Sequence, residues 1–340
     1  MKGRTIVLGQ IGEQEAAALM VDGRLEDLLL DTDLPRPGTI YRAIADRPVK
    51  GQGGMFLRTP DGTAFVRQVK GVAPGQVLLV QVTGYAEPGK AIPVTTKVLF
   101  KSRYAIVTPE APGLNVSRSV KDEGERDRIL EIAHEVMEGS TFGLILRSAC
   151  AGADEDDIAD DVAAMRQLAE AVTADTAGEA ETLVEGDGPH VLAWREWTEA
   201  ADIVEDPDGF ENLGVADALE DLRSPCSVLA GSATVWVEAT RALVAVDVNT
   251  GGDTSPAAGL KANLAAARDL PRLLRLRGLG GQIVIDFAPL PKKDRRQVEG
   301  ALRSAFRHDQ TETTLVGWTG LGHYELHRKR DRIALSEVLA

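Results

Sequence analysis

Cysteine, long apolar runs and an overall basic charge are scarce or missing in this chain of 340 residues, and each absence excludes a class of protein. The two cysteines, Cys150 and Cys226, stand far apart in no CxxC spacing. Neither a disulfide framework nor a cysteine-based zinc site can be read from them, and they count as small apolar residues. No window approaches the run of about 18 uncharged apolar residues that a membrane helix needs. The opening MKGRTIVLGQIG has neither the apolar stretch nor the cleavage site of a secretory signal, so a cytoplasmic location is expected. The net charge of −14 argues at first against a phosphate-rich partner, because nucleic-acid binding normally shows as a basic surface.

That charge is unevenly spread. From Cys226 onward there are 16 Lys+Arg against 12 Asp+Glu, a net of +4, leaving 22 against 40, or −18, for the residues before it. The acid is concentrated in runs such as Asp154-Glu155-Asp156-Asp157 with Asp160 and Asp161, the pattern of a solvated helix face. With 44% apolar and 26% charged residues the composition is that of a globular chain, and its length suits two to four modules.

Residues 4–30 read as strands with Asp22-Gly23 as a hairpin turn, and Pro35 and Pro37 mark a boundary. Between Gly38 and Lys97 come five short alternating strands punctuated by Pro60-Asp61-Gly62 and Pro74-Gly75. They predict a small closed barrel, of which the OB-fold is the commonest kind. The segment from Ser102 to Thr182 mixes strands with two amphipathic helices, ERDRILEIAHEV and DDIADDVAAMRQLAEAVTA. Residues 189–225 return to strand and helix, and residues 226–340 alternate the two in an α/β manner.

Within residues 226–340, a pair of apolar strands each end in an acid. AVDVNTGG carries Asp247 and Asn249 two apart, hence on one face of an extended segment, and Thr250-Gly251-Gly252 lets the chain turn away. GGQIVIDF ends in Asp286. The intervening segment reads as helix, broken near Pro271. A strand, helix, strand unit of this length brings its strands together in parallel, with Asp247 and Asp286 on the same edge. Two converging carboxylates repel unless a cation lies between them or one is protonated. Magnesium accepts such oxygen ligands together with water and phosphate, which suits phosphodiester hydrolysis. Spacing alone leaves open that each aspartate only caps a turn or the next helix.

The stretches ATRALVAVDVNTGG and LKANLAAARDLPRLLRLRGLGGQIVIDF resemble the catalytic core of the ribonuclease E/G family. MVDGRLEDLLLD, IYR, TTKVLFKSRYAIVTP, GLILRSACAG, DIVEDP and HYELHRKR extend the resemblance over most of the chain. It implies an α+β multi-domain fold: an RNase H-like region in residues 1–36 and 186–225, split by an OB-fold RNA-binding barrel (37–97) and a 5′-end sensor region (98–185), then a DNase I-like α/β catalytic domain (226–340). It also implies a magnesium-dependent endoribonuclease, with manganese as a substitute, acting on single-stranded, A/U-rich RNA. Carried over by position, Asp247 and Asp286 match metal-binding aspartates and Asn249 the amide beside them. Arg147 and Ser148, with the backbone around Ile106, match the 5′-monophosphate contacts. Phe56, Phe65 and Lys90 match RNA contacts of the barrel.

For each phenylalanine, filling a small barrel is an equally good reading, and Arg147 has the alternative of pairing with an acid near Asp154. Lys292, Lys293, Arg295, Arg296, Arg328, Lys329 and Arg330 stand where phosphates could be held, or on a solvated face. The chain departs from the family at Phe287-Ala288-Pro289-Leu290, where relatives continue with a further acid, and at the helix start around Gly259. It also lacks the cysteine pair of the family's zinc link, so no zinc is expected and any homo-oligomer is expected to hold without it. The rival expectation is an RNA-binding protein on this scaffold with weak or no cleavage; a nuclease preferring DNA stays open as well.

Overall fold

Short apolar runs, buried over Ala16–Met20 and Leu28–Leu29, build the first three strands, β1 (Arg4–Ile11), β2 (Gln14–Val21) and β3 (Arg24–Leu30), into an antiparallel meander. Asp22 and Gly23 connect β2 to β3 with φ of 51° and 79°, the positive values a two-residue hairpin of this twist requires. The computed structural model describes residues 2–49 and 53–338; the expected domain ends at Met1 and Ala340 lie outside them. It divides into two units, Met1–Thr32 with Ala200–Ala340, and Asp33–Glu199.

The second of these opens with β4 (Ile40–Val49), β5 (Gly54–Thr59), β6 (Gly62–Val66), β7 (Val77–Val82) and β8 (Ile92–Thr95). They pair in the order β4-β5-β6-β8-β7, and β4–β7 pairing closes the ring, giving the five-stranded barrel expected from the sequence. Its interior is filled by Tyr41, Ala43, Met55, Leu57, Val66, Val80 and Val94. A second sheet follows, made of β9 (Phe100–Lys101), β10 (Ala105–Thr108), β11 (Leu114–Val116) and β12 (Gly143–Leu146) in the order β11-β12-β10-β9. The helices α1 (Glu123–Val136) and α2 (Glu155–Ala174) share a core with it through Ile129, Ala133, Ile158 and Val162. The acidic run lies where a helix dipole favours it, with Asp154 as N-cap and three acids in the first turn of α2. β13 (Glu181–Val184) adds to the barrel beside β4, and α3 (Pro189–Glu196) completes the unit.

In the other unit β14 (Asp202–Val204) pairs in parallel with β1, and α4 (Gly209–Asn212) and α5 (Val215–Arg223) cover the meander through Phe210, Val215 and Leu219. A six-stranded sheet comes next: β15 (Cys226–Val228), β16 (Thr234–Ala239), β17 (Val244–Asn249), β18 (Gly281–Asp286), β19 (Thr313–Trp318) and β20 (Tyr324–Arg328). The order is β15-β16-β17-β18-β20-β19, with β17 and β18 parallel and the other pairs antiparallel. One face packs on α6 (Ala258–Leu276) and α7 (Arg295–Arg307); α8 (Leu335–Val338) ends the described chain. The break expected near Pro271 does not occur, because α6 runs through it. An interior proline costs a helix about 3 kcal/mol. Here Leu270, Leu273 and Leu274, each no more than 1% exposed, lock the flanking turns into the core and offset that cost.

Candidate active site

Alternation in β17 sends Val244, Val246 and Val248 into the core and leaves Asp247 and Asn249 on the opposite, open face of the sheet. In β18 Ile283 and Ile285 point inward, so Asp286 also faces out. The parallel register sets Asp247 level with Asp286, and neighbouring strands lie about 4.8 Å apart, so the two acids stand side by side. Asn249 Nδ2 donates to Asp247 Oδ2 at 2.7 Å, which orients that carboxylate and leaves its other oxygen available. Among the described residues no group of three or more His, Cys, Asp or Glu side chains is arranged as a metal site.

The surrounding backbone holds these acids in place. Gly251, at φ 62°, turns the chain after β17 so tightly that a Cβ there would lie 2.1 Å from the Ser232 carbonyl oxygen. Gly259 at the start of α6 lies against the loop after β18, where a Cβ would sit 2.2 Å from the Pro289 oxygen. Asn263 is fully buried and bonds both main-chain groups of Ala288, two residues past Asp286. Asp253 is engaged by other partners: the Ser255 backbone N–H, with Lys261 at 3.2 Å, holds its carboxyl below the usual carboxylate range.

Two residues beside the acids were not singled out in the sequence. Trp236 on β16 is the register partner of Asp247, and His323, next to Tyr324 on β20, brings Nε2 to 3.9 Å from Asp286 Oδ1. Alternation in TVWVEA between buried Val235 and Val237 was the available signal for Trp236. For His323 there was none, since it lies just outside a strand.

The other expected site residues fall in the Asp33–Glu199 unit. Arg147 follows β12 and is already engaged: Nη2 meets Glu196 Oε2 at 2.5 Å, and Nη1 donates to the carbonyls of Ser102 at 2.6 Å and Arg195 at 3.2 Å. The acid it pairs with is therefore Glu196, not one near Asp154. Burial acts to raise the Glu196 pKa, but the guanidinium groups of Arg147 and Arg195 outweigh it and hold this carboxyl below the usual range. Ser148 is exposed beside Arg147. Ile106 lies in β10 opposite Ile145, two positions along the ladder from the Tyr104–Arg147 contact. Asp161 in the acidic run accepts from Ser102 Oγ at 2.5 Å and the Tyr104 N–H at 3.0 Å, so it is a structural anchor rather than part of a solvated face.

In the barrel, Phe56 and Phe65 are register partners on the outer surface, with ring centroids 5.2 Å apart and Arg47 over Phe56 at 5.0 Å. Neither ring fills the barrel interior. Lys90 is exposed and pairs with Glu87 at 2.7 Å. Of the basic residues after Asp286, Lys292, Lys293, Arg296 and Lys329 are exposed. Arg328 is not available to phosphate: it is 2% exposed and bound to Asp309 and Thr313. Arg295 lies over the Trp318 ring at 4.4 Å. Cys150 is buried, which pushes its thiol up to about 11 and keeps it unreactive, in line with its reading as a small apolar residue.

By fold the protein is a multi-domain α+β chain, with a closed five-stranded barrel and an open-faced sheet bearing two level aspartates. Residues 100–200 and 193–331 match the ribonuclease E/G family, and the chain belongs to that family. It is 28% identical to Ribonuclease G of Salmonella typhimurium (strain SL1344) over 311 residues, covering 79% of this chain and 62% of that protein. Ribonuclease E of Nostoc sp. (strain PCC 7120) is 26% identical over 379 residues, 94% of this chain and 55% of its own length. Ribonuclease G of Escherichia coli K12 is 27% identical over 334 residues, 86% and 66%. The chain thus spans between 55% and 66% of the length of these relatives. Among the described residues no helix is long and apolar enough to cross a membrane.

Proposed function

We propose that this protein is an endoribonuclease that cleaves single-stranded RNA at the paired acids Asp247 and Asp286, in RNA processing or decay. The observation that carries this reading is the level register of the two carboxylates on parallel strands, with Asn249 orienting Asp247. Membership of the family, whose relatives are named ribonucleases, supports it.

The donor chemistry fits magnesium or manganese. Hard divalent ions of this kind are held by one or two carboxylates, with water and phosphate oxygens completing the shell. Asp247 and Asp286 would hold the ion, which when bound activates water and neutralises charge developing on the phosphate. Asn249 keeps Asp247 in one rotamer, and Asn263 keeps the strand end carrying Asp286 from drifting. Both reduce the reorganisation needed before reaction.

The barrel serves as an OB-type RNA-binding module. Phe56 and Phe65 offer outward rings on which bases stack without sequence demand, and Lys90 offers a phosphate contact. Arg147, Ser148 and the backbone near Ile106 form a pocket for a 5′-monophosphate, entered when a phosphate displaces Glu196 from Arg147; the guanidinium fork suits such a group. The reading is tested by incubating the protein with a labelled 5′-monophosphorylated single-stranded RNA, with and without magnesium. Magnesium-dependent internal cleavage supports it, and an RNA bound but left intact contradicts it.

A further inference from the structure

The open face of the six-stranded sheet carries one large aromatic ring level with the acids. Trp236 pairs with Asp247 across β16 and β17, and Asp247 pairs with Asp286 across β17 and β18. Trp236, Asp247 and Asp286 therefore form a row across β16, β17 and β18, and His323, just before β20, extends it with Nε2 3.9 Å from Asp286 Oδ1. Directly opposed residues of an antiparallel pair have Cβ atoms about 5 Å apart, so the Trp236 and Asp247 side chains leave the sheet as neighbours on the same face.

Trp236 differs from the other three tryptophans. Trp197 is buried at 3%. Trp318 packs against Phe287 and Arg295 and donates its N–H to Glu299 at 2.6 Å. Trp194 is 56% exposed, but the Arg103 guanidinium lies over its ring at 3.9 Å. Trp236 is 40% exposed, and its ring stacks on no aromatic or guanidinium among the described residues. Exposing so large an apolar surface beside charged groups does not help folding. Core packing on this strand is supplied by Val235 and Val237, which face the other way.

The charge around it narrows the occupant. Asp247, Asp286, Glu238 and Glu325 all lie on this exposed face, so the protein itself repels phosphate here. A neutral π face is a contact that an RNA chain can make without meeting that repulsion, and every base has a face to offer. We infer that Trp236 is a stacking platform for the unpaired base next to the scissile phosphate, positioning single-stranded RNA over Asp247 and Asp286. This rests on the proposed cleavage at those two acids. Trp236 is a positioning residue: it holds a nucleoside and takes no part in bond making.

The test uses a single-stranded A/U-rich oligoribonucleotide whose cleavage position has been mapped, and versions of it with an abasic nucleotide on either side of that position. Trp236→Ala is expected to lower kcat/KM about tenfold, mainly through KM, and Trp236→Phe to recover most of the loss. The abasic RNA is expected to cost the unmodified protein a similar factor and to cost Trp236→Ala nothing further, the non-additivity expected when ring and base are one contact. Thermal unfolding midpoints equal to the unmodified protein show that the variants fold. Unchanged kcat/KM for Trp236→Ala, in a protein that does cleave, overturns the platform and leaves the acid pair standing. A change of sedimenting mass with unchanged RNA kinetics identifies the face as a protein contact and likewise overturns it. An unmodified protein that neither binds nor cleaves the RNA overturns the cleavage reading and the platform with it.

Discussion

Asn263 and Ala288 are joined by a two-bond ring: the side-chain Nδ2 donates to the Ala288 carbonyl at 2.8 Å, and Oδ1 accepts from the Ala288 N–H at 2.9 Å. The asparagine is fully buried, so each of its polar atoms depends on this partner. The loop that begins at Asp286 is thereby tied to the helix that follows Asp247.

Asn263→Ala leaves the Ala288 groups unpaired in the interior and is expected to cost about 2–3 kcal/mol of stability. Because the same bonds hold the Asp286 strand end, kcat should fall well before the protein unfolds. Urea denaturation gives the first quantity and steady-state cleavage at a temperature where the variant is folded gives the second. A full stability loss with unchanged kcat would confine Asn263 to the fold.

Glu196 caps the Arg147 guanidinium, and the proposed 5′-phosphate pocket opens only when that ion pair yields. Glu196→Gln removes the competing charge. It should increase the preference for a 5′-monophosphate over a 5′-hydroxyl by several-fold, while Arg147→Ala erases the preference and leaves cleavage of hydroxyl-ended RNA unchanged. Competition between the two ends in one reaction measures both.

The same pair sets a pH dependence. The folded Glu196 carboxyl lies below its ordinary value of 4.5, with burial opposing and Arg147 and Arg195 prevailing. A depressed carboxylate contributes stability that is fully present above the unfolded value and is lost as pH falls through the folded one. The unmodified protein should therefore lose stability below about pH 4.5 more steeply than Glu196→Gln, and denaturation midpoints between pH 3 and 7 report the difference.

On the barrel, Phe56→Ala and Phe65→Ala should each weaken RNA binding by about 1–3 kcal/mol whatever the base opposite. Lys90→Ala should reduce the salt slope of binding by at most about one, since Lys90 already has Glu87 as a partner. Fluorescence anisotropy over a salt series distinguishes ring from charge.

Much of this arrangement was legible in the sequence where a local period determines it. Alternation placed Asp247 and Asn249 on one face, and the strand, helix, strand spacing made β17 and β18 parallel. Turn residues marked the barrel strands and the Asp22-Gly23 hairpin. What failed depended on contacts distant in sequence. Pro271 reads as a helix break until the buried leucines around it are seen, and Arg328 reads as a phosphate contact until Asp309 is found against it. Glu196 as partner of Arg147, and Trp236 and His323 beside the acids, are juxtapositions that no local pattern encodes.

The most direct test of the two-aspartate site is cleavage by Asp247→Asn and Asp286→Asn, each of which removes a charge at nearly constant volume. Magnesium-dependent cleavage of a 5′-monophosphorylated single-stranded RNA is measured beside binding of the same RNA. Loss of about 100-fold or more in kcat for both variants, with binding within about a factor of three, is the expected result. Cleavage by both at the unmodified rate would contradict the assignment.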